Sequence, residues 1–335
     1  GGSIDIERYH YSGQWYFGPV MQPLTFDYVD DDLAGIRKDG KVYALSGNNL
    51  WTFGLKKRIR KTDEGYCWES KNGRWRTYDD TGRQLAYGDN NGVIGEFVYD
   101  AAGIDIVGID DRSGNQAIWY DYDAEGRITA VYDRDNRRVE YSYTDNLLTN
   151  VNDVLGYDTV YGYDQEQRII EITDPLNRTT TITYGGYNAV ESVVEENGIG
   201  RFFEYDYNHG TGQYYASVKT SSGIIKEVWY DELGDTQRVD INGRTIQRIE
   251  KQRRDLLIYD AAGNATCRSY DEWDNLTKVE YPDGASVSYE YEHTHHQAVR
   301  KTDERDVVTE YEYDANGNMT RMVEAVGTVD ERVTE

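Results

Sequence analysis

Two cysteines in 335 residues, Cys67 and Cys267, are too few and too far apart for a disulfide framework, so each reads as a free thiol. Four prolines and six phenylalanines, with little Leu, Ile and Val, do not suit the compact apolar cores of two or three ordinary domains. No stretch approaches eighteen apolar residues, which argues against a helical membrane span. No basic n-region with an apolar h-region opens the chain, so no signal peptide is expected, and Gly1-Gly2-Ser3 reads as a cloning remnant. Positive charge is in the minority, 36 Lys and Arg against 61 Asp and Glu, and the net charge of -25 is spread along the chain. Such a field repels phosphate backbones and anionic membranes, so nucleic acid is not an expected partner. The sequence also lacks a P-loop, a Gly-x-Ser-x-Gly elbow and a strand-linked dinucleotide fingerprint. Neither catalytic residues nor a cofactor are expected.

What the chain has in quantity is tyrosine, 31 residues of it. A disordered chain is poor in aromatics, so the high charge does not mean disorder. The tyrosines recur with a period. Tyr78-Asp79, Tyr99-Asp100 and Tyr120-Asp121 are spaced by 21 and 21, and Tyr122, Tyr143, Tyr163, Tyr184 and Tyr205 follow at 21, 20, 21 and 21. Tyr163 is followed by Asp164. Tyr230-Asp231 and Tyr259-Asp260 stand 29 apart, read as insertions in loops, before Tyr270-Asp271, Tyr291 and Tyr313-Asp314 resume at 21 and 22. Gly103, Gly126, Gly234, Gly263 and Gly317 close the Asp-x-x-Gly pattern in these units.

Each unit reads as strand, turn, strand: an alternating aromatic run, an Asp whose carboxylate can accept backbone N–H groups just ahead of it, a residue with positive φ, then a second alternating run. A second turn ends it, as in Asp174-Pro-Leu-Asn-Arg178 and Tyr281-Pro-Asp-Gly284. One repeat is therefore one hairpin. A lone hairpin is marginal in water, so successive hairpins must pair edge to edge, and a twisted sheet that keeps growing must coil. In Tyr141-Ser-Tyr143 and Tyr311-Glu-Tyr313 the tyrosines share one face and the polar residues take the other, so both faces are expected to tolerate water. Residues 1–64, less regular and rich in Trp15, Tyr16, Phe17, Phe26 and Tyr28 beside Pro19 and Pro23, read as a lead-in or cap. Residues 65–335 are the hairpin array, which looks cut at its C-terminal end.

The units Tyr-Asp-x-x-Gly-[Arg/Asn]-[Ile/Leu/Met] resemble the YD repeats of the Rhs family, which also includes shell components of bacterial insecticidal toxin complexes and the teneurins. The resemblance covers about residues 65 to 335. It implies an all-β sheet spiralling into part of a hollow shell, non-catalytic, that encloses a C-terminal effector or toxin absent from this stretch. It further implies secretion or cell-surface delivery, with secretion-system or cell-surface components as partners. From the residues themselves, a wet, acidic, Tyr-lined inner face is expected to hold such an effector without a tight hydrophobic grip. Two other readings stay open. Trp119-Tyr120, Trp229-Tyr230 and Tyr214-Tyr215 suggest an aromatic module stacking on cell-wall glycan or choline, and a teneurin-like adhesion stalk shares the fold. His293 and His295 would share one strand face as candidate metal ligands, though a solvated strand end explains them as well. Asp121-Tyr-Asp123-Ala-Glu125-Gly126 imitates a calcium loop, but Tyr132 stands where the bidentate Glu is needed, so the turn reading holds.

Overall fold

The computed structural model describes residues 8–11, 14–17, 23–30, 32–53 and 57–335. The expectations for Gly1-Gly2-Ser3 and Pro19 lie outside them. Strands Arg8–Tyr11 and Gln14–Phe17 pair as a separate two-stranded sheet. From Thr25–Val29 to Arg332–Thr334, thirty-one strands form one antiparallel sheet in which each strand pairs with its neighbours in sequence. Among the described residues the first and last of these strands pair on one side only, so the sheet is open. No helix among them is long and apolar enough to cross a membrane. Both cysteines are free, and burial pushes the Cys67 thiol up to about 11.

The sheet coils at two radii. At its start the Leu24 N–H donates to the Gly82 carbonyl (2.8 Å) and the Phe26 ring lies 5.0 Å from that of Tyr66, so the seven strands from Thr25–Val29 to Trp75–Tyr78 turn back on themselves. A ring of about eight strands is just narrow enough for side chains to fill. Ile36, Tyr43, Trp51, Ile59, Trp68 and Tyr78 fill it. Lys38 is buried with them, its ammonium 5.0 Å from the Trp68 ring and paired with Asp39; burial and the nearby Arg76 pull its pKa down to about 8. This end is a solid cap. Its packed core runs on to Tyr78, beyond the residue 64 at which composition changes.

Past the cap the coil widens. Asn91 and Asn318 exchange side-chain amide hydrogen bonds (3.0 and 2.6 Å), and Lys71 donates to the Trp273 carbonyl (2.7 Å). Asn91 lies in the turn before strand Gly92–Tyr99 and Asn318 in the turn before Met319–Glu324, twenty-one strands further on. One rim of the first winding therefore rests on the opposite rim of the second. At about 4.8 Å per strand, such a winding measures roughly 100 Å around and roughly 30 Å across, too wide for side chains to fill. The accessible surface agrees: 20718 Å², where a compact chain of 38.6 kDa exposes about 14,000 Å².

Register settles which face is inside. The filled face of the cap continues through Arg76↔Tyr87, Phe97↔Ile109, Ile109↔Ile118, Tyr120↔Val131 and Tyr141↔Val151, so the tyrosine face is the inner one. It is not acidic. Glu140, Ser142, Glu290 and Glu312 alternate with the tyrosines and point outward, because a strand sends successive side chains to opposite faces. Nor is the inner face wet throughout: Ile109, Leu148 and Val151 are fully buried beside Tyr120, Tyr141 and Tyr161, the cross-strand partners of the tyrosines being aliphatic.

Candidate functional site

The wall is built from one joint, repeated. Asp123 opens the turn after Tyr122: its Oδ1 accepts the N–H groups of Glu125 (3.1 Å) and Arg127 (2.9 Å), and its Oδ2 accepts the Arg127 guanidinium (2.7 Å). Gly126, at φ +77°, donates its N–H to the Asp123 carbonyl (3.1 Å). The same turn holds Asp79, Asp100, Asp164, Asp231, Asp260, Asp271 and Asp314, whose carboxylates each accept at least one N–H from the residues that follow. Gly103, Gly234, Gly263 and Gly317 take the positive-φ position, and Gln167 and Asp274 adopt it without glycine. Where Arg is missing four residues after the Asp, Asn264, Asn275 or Asn318 reaches the second carboxylate oxygen instead.

Below the turn the register slips. Asp121 faces Ala130 but Tyr122 faces Ile128, leaving Thr129 as an extra residue, a bulge that bends and twists the ladder. The same slip precedes Tyr99, Tyr143, Tyr163, Tyr184, Tyr230, Tyr270, Tyr291 and Tyr313. The next unit then locks it. Tyr143 donates its hydroxyl to the Ile128 carbonyl at the bulge (2.7 Å), while Arg127 lies 4.9 Å from the Tyr143 ring. Tyr99 to Gln84, Tyr122 to Ile106, Tyr163 to Leu148, Tyr184 to Ile169, Tyr291 to Leu276 and Tyr313 to Ala298 repeat the bond at 2.5 to 2.8 Å. Arg83 over Tyr99 and Arg168 over Tyr184 repeat the stacking. Where the lock is made, turn, bulge and tyrosine form one chain of contacts from one hairpin to the next, and each bulge adds curvature to the wall.

Electrostatics follow the geometry. The Arg137 guanidinium and N–H hold the Asp133 carboxyl below its usual range, and the Asn318 amide and N–H do the same for Asp314. At Asp123 desolvation pushes the other way but is outweighed by the Arg127 N–H and guanidinium, so that pKa is lowered too. Burial pushes the Tyr99 hydroxyl up to about 12 and raises those of Tyr122 and Tyr143.

The sequence pattern and the structure part at several residues. In the unit beginning Tyr120-Asp121 the turn carboxylate is Asp123; Asp121 lies on the strand, facing outward and paired with Arg138 (2.9 Å), because it sits five residues before the glycine and not three. Tyr120 and Tyr78 are buried inner residues, and Tyr259 bonds Glu250 beneath Arg248. His293 and His295 do not share a strand face. They lie in the turn after Ser286–Tyr291, where Glu292 accepts the N–H groups of Thr294, His295 and Gln297 in place of an Asp. Among the described residues no group of three or more His, Cys, Asp and Glu could hold a metal. Trp119 faces outward, stacked on Tyr132, while Tyr120 faces inward, so that aromatic pair is split between the faces. The hydroxyl locks were not read from the sequence, although their signal is there: the locking tyrosine falls 15 residues after the aliphatic residue whose carbonyl it caps.

Residues 293–329 match the family model of the RHS repeat. No curated protein matches the chain. Among solved structures, the Photorhabdus luminescens Tc holotoxin pore with a TccC3 mutation is 11% identical, covering 100% of this chain and 25% of that one at a TM-score of 0.44. TcdB2-TccC3-Cdc42 is 14% identical, covering 80% and 16% at 0.36, and TcdB2-TccC3-TEV is 13% identical, covering 93% and 18% at 0.38. The chain spans a quarter or less of the length of these structures.

Proposed function

In a chain that belongs to the Rhs family of YD-repeat proteins, we propose that the coiled sheet is a stretch of container wall enclosing a polypeptide effector supplied elsewhere in the full protein. The observation that carries this reading is the seam: hairpin turns 227 residues apart in sequence bond to each other, which winds the sheet around a space wider than its own side chains fill. The solid cap closes one end of that space. Seven tyrosine hydroxyls of the inner face are spent on the bulge carbonyls, and the register sets cations such as Arg201, Lys226 and Lys301 among the rings and aliphatic patches of that face. An unfolded or partly folded chain would be held there without a tight grip. Bacterial origin, secretion or surface delivery of the full protein, and secretion-system or cell-surface partners belong to the same proposal, as does the absence of catalysis in this stretch.

The test is protease protection in the full-length protein. An enclosed effector resists trypsin while the wall is intact and is cleaved once the seam is opened by Asn91→Asp with Asn318→Asp. Cleavage at the same rate in both would overturn the container reading.

A further inference from the structure

The two faces of the wall treat charge differently. The register that puts Tyr141 and Val151 inside carries through Val151↔Thr159, Tyr161↔Ile172, Ile172↔Thr180, Ile182↔Val193 and Val193↔Arg201, so Arg201 points into the lumen. Onward, Val218↔Lys226, Lys226↔Ile241 and Ile241↔Arg244 place Lys226 and Arg244 on the same face, Leu256↔Arg268 adds Arg268, and Tyr289↔Lys301 adds Lys301. Every Asp and Glu in the strands from Gly200 to Thr302 faces the other way except Asp260. The Asp260 carboxylate is taken up by its own turn, accepting the N–H groups of Ala262 and Asn264 and the Asn264 amide. A chain with 61 acidic and 36 basic residues thus turns a basic inner face to the lumen along this stretch.

Pairing separates the faces as well. Outward-facing Arg238, Arg248, Lys278 and Arg300 each meet an acid on their own face: Asp240 (2.8 Å), Glu250, Glu280 (2.6 Å) and Glu310 (3.4 Å). Arg201, Lys226, Arg244, Arg268 and Lys301 have no ion pair among the described residues, and all but the half-buried Lys301 are exposed. At about 4.8 Å per strand, successive members of this set stand roughly 10–15 Å apart, close to the distance over which charges act through physiological salt. A concave wall lined by one sign of charge focuses its potential on whatever lies inside.

We propose that the inner face from Gly200 to Thr302 docks an acidic stretch of polypeptide, its carboxylates pairing with Arg201, Lys226, Arg268 and Lys301. The acidic chain as a whole holds free nucleic acid off, whereas a segment of the same protein reaches the lumen by chain connection and needs no approach through that field. The occupant rests on the container reading, but the two fail separately. Protease protection succeeds with an effector of any charge, and charge recognition by this face is measurable in a wall that encloses nothing.

The probe is acetyl-Glu-Ser-Gly-Glu-Ser-Gly-Glu-amide, titrated calorimetrically at low ionic strength into the whole chain, beside the same peptide with Gln for Glu and an oligothymidylate. One variant combines Lys226→Gln, Arg268→Gln and Lys301→Gln; the control is Lys219→Gln, an outward-facing cation of the same stretch that also has no ion pair. None of these side chains makes a hydrogen bond or ion pair among the described residues, so the variants keep the fold. Saturable binding of the Glu peptide and not the Gln peptide, weakened roughly tenfold or more by the three inner substitutions and unchanged by Lys219→Gln, supports the site. Equal affinity for the Gln peptide overturns it, as does binding that survives the inner substitutions or falls as far with Lys219→Gln. Tighter binding of the oligothymidylate through the same cations overturns it too, assigning the face to nucleic acid.

Discussion

Two stretches of the wall carry the same tyrosine spacing and differ in structure. From Gln84 to Tyr184 every unit has its bulge and its hydroxyl lock, and the inner residues from Phe97 to Ile169 form one buried cluster. From Gly200 to Tyr259 no hydroxyl lock is made and the slips thin out to those at Tyr230 and Val239. Strands Gly200–Asn208 and Gln213–Thr220 pair through eight residues without a slip, from Arg201↔Thr220 to Asn208↔Gln213, and Arg244–Gln252 with Asp255–Asp260 is likewise unbroken. Tyr205, 21 residues after Tyr184, is 54% exposed. Period alone does not make the joint. Nor does the turn alone: Asp133–Arg137 and Asp174–Arg178 make the same bonds with no slip in the strands they join, whereas the strands joined at Asp145-Asn146 do slip. Across His209-Gly-Thr-Gly212 the strands run flush. Fewer bulges mean less curvature, so this stretch is the flatter and less tightly held part of the wall.

The contrast is broken most strongly in the core. Leu148→Ala removes a fully buried inner residue and should cost about 2–5 kcal/mol, whereas Ile224→Ala, at a half-exposed turn, stays within about 0.5 kcal/mol; denaturant melts followed by hydrogen exchange separate the two. Tyr143→Phe deletes one lock and leaves the Ile128 carbonyl unpaired, a loss of about 1–3 kcal/mol that should speed exchange in strands Ile128–Asp133 and Arg138–Thr144. Tyr205→Phe should change nothing measurable. Equal effects from the two would erase the distinction between locked and unlocked units.

pH sharpens the comparison from both sides. The turn carboxylates have lowered pKa values, so their contribution is present above the unfolded value of about 3.9 and is lost as pH falls below it. The hydroxyl of Tyr99 is raised to about 12, so its contribution is present below about 10 and is lost as pH climbs from there toward 12. Exchange at alkaline pH should therefore rise first between Gln84 and Tyr184. A small and local effect is expected at a single turn: Asp314→Ala should loosen residues 314–318 and leave distant repeats protected.

How far the sequence spoke depended on which contacts were local. Hairpins and their turns were legible because Asp, Gly and alternation act within a few residues, and the correct carboxylate in Tyr122-Asp123 was within reach of the same spacing rule. Strand alternation also separated tyrosines from acids, but not inside from outside, since that depends on how the cap closes across Leu24 and Gly82. The bulges were hidden because a slipped register leaves no mark in composition. The seam lay further out of reach: Asn91 and Asn318 are ordinary turn residues until the sheet's radius brings them together.

The most direct measurement is the distance between spin labels at residues 91 and 318, introduced as cysteines with Cys67 and Cys267 replaced by serine and read by pulsed electron resonance. A wound sheet puts the labels within about 20 Å of each other. A sheet that continues without winding separates them by roughly 100 Å, twenty-one strands at about 4.8 Å each, and that distance would contradict the coiled wall.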